Sequence, residues 1–93
     1  MIVGVLSVEI YIPASASLKE KRMVLKSVKD RIHNKFNASV AEVGFTDKWQ
    51  RSLLAVAVVS ENNKFVQEVL NKIFDFLDRE PAFEITQYNF DYR

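Results

Sequence analysis

Seven consecutive apolar residues, Leu53-Leu54-Ala55-Val56-Ala57-Val58-Val59, constrain this chain more than any other feature. The run falls far short of the ~20 residues that a membrane-spanning helix needs. Within the segment Gln50 to Ser60 it reads as a strand that is apolar on both faces, which belongs at the centre of a sheet. The fold must therefore supply neighbours on both of its edges.

The other elements follow from periodicity. Ile2 to Ile12 reads as a strand whose even positions Ile2, Leu6, Val8, Ile10 and Ile12 form an apolar face broken only by Gly4. Its odd positions start apolar (Val3, Val5) and turn polar (Ser7, Glu9, Tyr11), which also predicts a central strand. Pro13 ends it, and Pro13 to Ser17 is a short loop. Ser17 and Glu20 stand at capping-box spacing before a helix over Leu18 to Phe36, with Leu18, Leu25, Val28, Ile32 and Phe36 as its buried stripe. Asn34 and Asn37 supply exit chemistry at an end that lacks Gly. Ser39 to Phe45 is a further strand with Ala41, Val43 and Phe45 on one face, and Thr46 to Trp49 forms a hairpin turn. A second helix covers Lys64 to about Arg79, capped by Asn62 or Ser60. Its apolar face is Val66, Val69, Leu70, Ile73 and Leu77, with Phe65 and Phe76 at the edge. Pro81 ends it, and Phe83 to Tyr92 is a last strand. There the apolar parity shifts between Ile85 and Tyr88, which predicts a bulge or a change of partner.

The order β-α-β-β-α-β is the ferredoxin-like arrangement, an α+β sandwich. Right-handed crossovers place both helices on one face of a four-stranded antiparallel sheet. Ninety-three residues fit one such domain, residues 1–93.

Composition removes most catalytic classes. With no Cys there is no disulfide framework, Cys-ligated zinc site or iron–sulfur cluster. The single His, His33, lies alone on a basic helix, and no metal site is expected. Glu9, Glu42, Asp47 and Glu84 are scattered without a spacing that joins two of them. Two Gly cannot build a glycine-rich nucleotide loop, and Pro13 to Ser17 holds no Arg to cradle a phosphoryl group. No catalytic residue and no cofactor are expected. Met1 to Gly4 has no basic leader, and Glu9 interrupts the apolar stretch, so the expectation is a cytoplasmic protein with no membrane partner.

Charge is the informative asymmetry. The net charge of +1 conceals a first helix with seven cations against two acids and a segment 61–80 with three against five. Lys19, Arg22, Lys26, Lys29 and His33 step by three and four residues, placing them on one stripe about 80° wide that borders the apolar face. Such a stripe is either a solvated flank whose stems shield the core edge or a track for a phosphate backbone.

The topology brings the first helix's start to the same end as the hairpin. Ser15, Ser17, Lys19, Lys21 and Arg22 thus join Trp49, Gln50 and Arg51 as candidates for nucleic-acid or small-anion binding. The alternative has Trp49 closing the end of the core and Arg51 pairing with Asp47. The sheet face away from the helices, with Val3, Val5, Ser7, Glu9 and Tyr11 on the first strand, lacks the paired aromatics of RNA-recognition domains. Its aliphatic positions point to a second layer, most simply another copy of the protein, making a homo-oligomer through the sheet or its edge.

The segments Ser17-Leu18-Lys19-Glu20-Lys21-Arg22, Ser39-Val40-Ala41-Glu42-Val43, Asp47 with Trp49-Gln50-Arg51, and Ala57-Val58-Val59-Ser60 resemble the YlxP-like family of bacterial proteins of unknown function. The likeness covers nearly the whole chain; the segment from Pro81 matches less distinctively. The resemblance implies a ferredoxin-like fold. Members are often encoded beside translation-initiation and ribosome-maturation factors, which implies an association with RNA or a ribosomal subunit. No catalytic residue or cofactor comes with it. The leading expectation is therefore a non-enzymatic RNA- or ribosome-associated module, and the rival a homo-oligomeric interaction domain.

Overall fold

The computed structural model describes residues 1–93. Its elements are β1 (Ile2–Tyr11), α1 (Leu18–Phe36), β2 (Ser39–Gly44), β3 (Arg51–Ser60), α2 (Asn63–Asp78) and β4 (Glu84–Tyr92). The sheet order is β2-β3-β1-β4 with every adjacent pair antiparallel, the ferredoxin-like sandwich that the element order implies. The two strands apolar on both faces, β1 and β3, hold the centre. No helix is long and apolar enough to cross a membrane.

The core lies between the sheet and the helices. Leu6, Val8, Ile10 and Ile12 meet Leu54, Val56 and Val58 on one side, and Leu25, Val28, Ile32, Val66, Leu70, Ile73 and Leu77 on the other. Gly4, the break in the apolar alternation of β1, packs directly against Val66 and Leu70 of α2. A Cβ there would overlap Val66 Cγ1 and stand 2.8 Å from Leu70 Cδ1. Only a residue without a side chain admits the helix at that distance.

Caps set the helix boundaries. Ser17 Oγ accepts the Glu20 N–H at 3.1 Å, and the Glu20 carboxylate reaches back to the N–H of Ala16, one residue before the cap itself. Asn37 closes α1 in the left-handed region, donating its N–H to His33 O at 3.1 Å. Asn62 caps α2 by accepting the Phe65 N–H at 3.1 Å, while Ser60 Oγ accepts the N–H of Asn62. Of the two residues considered for this cap, Asn62 holds it, and Ser60 supports the turn before it.

Three expectations need correction. β1 ends at Tyr11, so Ile12 is a buried loop residue. β3 starts at Arg51, leaving a six-residue β2–β3 connection of residues 45–50 where a tight hairpin turn is expected. The third concerns β2, whose core-facing parity is Val40 and Glu42, paired with Val56 and Leu54; Ala41, paired with Ala55, faces away. The register then slips between Glu42 and Gly44, so Val43 is the extra residue and no continuous Ala41–Val43–Phe45 face exists. Apolar alternation misassigns this strand because the inward position holds a carboxylate, which burial alone would disfavour.

In β4 the parity shift is a bulge. Ile85 pairs with Ile10 and Gln87 with Glu9, leaving Thr86 unpaired, so Ile85, Tyr88 and Phe90 all face α2. Phe74 receives Tyr88 and Phe90 at ring-centroid distances of 4.7 and 5.9 Å.

Candidate nucleic-acid interface

The start of α1 and the β2–β3 loop are joined by one buried cation. The side chain of Lys21, only 1% exposed, is among the most deeply buried in the protein. Its Nζ donates to Phe45 O at 2.8 Å and to Thr46 O and Arg51 O at 3.3 Å, and stands 2.9 Å from Glu42 Oε2. The carbonyls belong to both ends of the loop, so the ammonium group ties entry to exit. Glu42 also accepts the Ser52 hydroxyl at 2.7 Å. Lys21 is thereby withdrawn from the surface row of cations: its charge is neutralised and its protons are all directed at protein oxygens.

Phe45 begins the loop at φ 57°, in the left-handed region that bulky residues rarely occupy. That geometry lets its carbonyl accept both Lys21 Nζ and the Lys48 N–H, the latter at 3.0 Å. The Arg51 guanidinium lies 4.0 Å from its ring centroid. Arg51 also donates to Glu9 Oε2 at 3.1 Å, not to Asp47, the expected partner. This hydrogen bond foremost, and that from the Thr86 hydroxyl next, hold the Glu9 carboxyl below its ordinary value of 4.5.

With its ends fixed, the loop presents Trp49 outward. Its indole is 56% exposed and does not close the core. Gln50 donates to Pro13 O at 3.0 Å, and its own carbonyl accepts the Ile12 N–H at 2.8 Å, so Gln50 serves as a strut to the end of β1. Tyr11, Asp47, Lys48, Trp49, Gln50 and Arg51 line an open groove of about 380 Å³. Tyr11, Asp47 and Lys48 are the members absent from the candidate binding residues. Tyr11 pairs with Arg51 across β1 and β3, a register that their odd parity allows but does not specify.

The hydroxyls of the serines at the helix start are engaged within the protein. Ser15 is 5% exposed and donates its hydroxyl to Ser17 O at 3.1 Å, and Ser17 caps the helix. The Glu20 carboxylate already supplies negative charge there.

The basic stripe of α1 runs along the β2 side of the sandwich, where Lys29, Asp30, His33, Ala38, Ser39 and Val40 line a shallow groove. Lys19 and Arg22 are exposed and Lys29 half-exposed. None of these three has a carboxylate partner among the ion pairs. Lys26 donates to Asp30 at 2.8 Å, which raises its own pKa and lowers that of Asp30. His33 Nδ1 lies 3.4 Å from Ala38 O. On the opposite flank Arg31 pairs with Glu80 at 2.8 Å, and Lys35 stacks over Phe36 and Phe76. The excess charge of α1 is thus unevenly spent, and Lys19, Arg22 and Lys29 are left without a carboxylate partner along the stripe that flanks β2.

A family model described as "Protein of unknown function (DUF503)" matches residues 3–90. The uncharacterized protein YlxP of Bacillus subtilis (strain 168) is 39% identical over 84 residues, covering 90% of this chain and 91% of that protein. Matched over almost its whole length, and in line with the motifs read from its sequence, the chain belongs to the DUF503 family of proteins of unknown function.

Proposed function

We propose that the protein is a non-enzymatic RNA-binding module that stacks an unpaired base at Trp49 and follows the adjoining phosphates along α1. The carrying observation is the groove in which exposed Trp49 and Tyr11 stand beside Lys48 and Arg51, on a loop that Lys21 fastens to α1. Every base offers a π-face to an aromatic ring, so such a platform binds without demanding one sequence. Lys19, Arg22 and Lys29 then supply charges for the backbone. Small ribosomal subunits, whose RNA exposes looped-out bases, are the natural macromolecular form of this ligand.

Because the chain contains a single Trp, its fluorescence reports on this site alone. Titration with a short unstructured RNA and with purified small subunits at low salt should quench it. Trp49→Ala, followed by anisotropy of a labelled RNA, should weaken binding by about 5- to 150-fold, the equivalent of one stacked base. Unchanged fluorescence and no anisotropy rise at low salt would overturn the reading.

A further inference from the structure

Both helices cover one face of the sheet, and the other face has no covering layer. It carries Val3, Val5, Ser7, Glu9 and Tyr11 from β1 and Arg51, Leu53, Ala55, Ala57 and Val59 from β3, with Ser39 and Ala41 of β2, Glu84, Gln87, Asn89 and Asp91 of β4, and Arg93, which pairs with Val3. Toward the start of β1 this face is aliphatic, and Val59 is 61% exposed. Antiparallel sheets that face water normally place polar residues there. Here β3 is apolar on both sides, the pattern of a strand covered twice.

We propose that a second copy of this chain covers the open sheet face, forming a two-fold dimer centred on Val3, Val5, Ala57 and Val59. Charge is compatible with a second copy as the occupant. Of the five charged side chains on the face, Arg51 pairs with Glu9 at 3.1 Å and Arg93 with Asp91 at 2.9 Å, leaving Glu84 at one corner. A nearly neutral surface attracts no charged partner and meets its own copy without like-charge conflict. The sheet edges suit a copy less well. Joining two β2 edges would set two rows of Lys19, Arg22 and Lys29 side by side, and β4 is interrupted by its bulge at Thr86.

Area is consistent with this choice. Four strands at about 4.8 Å spacing, with about nine residues at 3.3 Å each, present a face of about 19 by 30 Å. Two such faces bury about 1,100 Å², just above the ~1,000 Å² that a specific interface needs. An interface of this size falls in the weak, transient class. Aliphatic residues form its centre, and the polar residues of β4 form a rim. The Trp49 groove lies at the far end of β1 from this centre, but its Tyr11 and Arg51 stand on the same face, so a copy that covers the whole sheet competes with RNA for them.

Sedimentation velocity over about 1 to 100 μM should show wild-type protein passing from the 10.8 kDa monomer to a species of twice that mass. The double variant Ala41→Lys, Val59→Lys places charges at two positions already exposed in the single chain, so the fold tolerates them. Its thermal unfolding at a dilution where wild type is monomeric verifies that. The variant should raise the dimer dissociation constant at least tenfold. A wild type that stays monomeric to 100 μM, or a folded double variant that dimerises as tightly as wild type, would overturn the proposal. So would a monomer that captures an unrelated protein through this face.

Discussion

Lys21 Nζ lies 2.9 Å from Glu42 Oε2, with the lysine side chain 1% exposed and the glutamate 15%. An ion pair this deep gives little net stability by itself, because desolvating both charges offsets their attraction. Its consequence is positional: the ammonium is aimed at three carbonyls that define the β2–β3 loop.

Removing the cation strands its partners. Lys21→Met keeps the stem but leaves Glu42 without its counter-charge and the carbonyls of Phe45, Thr46 and Arg51 without this donor. The expected loss is about 3 to 5 kcal/mol, as for breaking a buried pair from one side. That is a large part of the 5 to 15 kcal/mol typical of a domain. Denaturant unfolding measures the loss, and faster proteolysis within residues 45–50 at equal folded fraction would show that the loop has come free. A change below about 1 kcal/mol would mean the loop is held by other contacts.

Acid titration should expose the Glu9–Arg51 contact. Glu9 titrates below its ordinary 4.5 in the folded protein, chiefly because Arg51 and the Thr86 hydroxyl donate to its carboxylate. Above 4.5 the unfolded chain is also ionised there, and the folded state keeps the whole advantage. As pH falls from 4.5 through the depressed folded value, the unfolded chain takes up the proton first and the advantage disappears. Glu9→Gln should thus be less stable than wild type at pH 7, with the gap closing as pH falls below 4.5. Thermal unfolding across this interval checks the sign; a gap that widens in acid would contradict it.

Binding of RNA should carry the signature of few contacts. Lys19, Arg22, Lys29 and Lys48 make about three to four phosphate neutralisations, so affinity for single-stranded RNA should fall with a log–log salt slope of about −2 to −3. The triple variant Lys19→Ala, Arg22→Ala, Lys29→Ala should flatten that slope by about 2 while leaving quenching of Trp49 by stacked bases in place. Fluorescence titrations over a salt series provide both numbers. An unchanged slope in the triple variant would place the phosphates elsewhere on the molecule.

Much of this protein is written locally. The seven-residue apolar run demanded a central strand. Helical spacing marked Leu25, Val28 and Ile32, and Ser17 with Glu20 marked the start of α1, because periodicity and capping act over four residues or fewer. The parity shift in β4 foretold its bulge. The site was less legible. Lys21 sits among exposed cations in the chain, and only the Glu42 carboxylate and carbonyls 24 to 30 residues away make its burial tolerable. Glu42 turns inward for the same reason, reversing the face that alternation assigns to β2. Trp49 is exposed because that lock carries the loop past the end of the core. Secondary structure came from side-chain spacing, whereas the inward ions and the outward indole required partners that only the packed sheet brings within hydrogen-bonding reach.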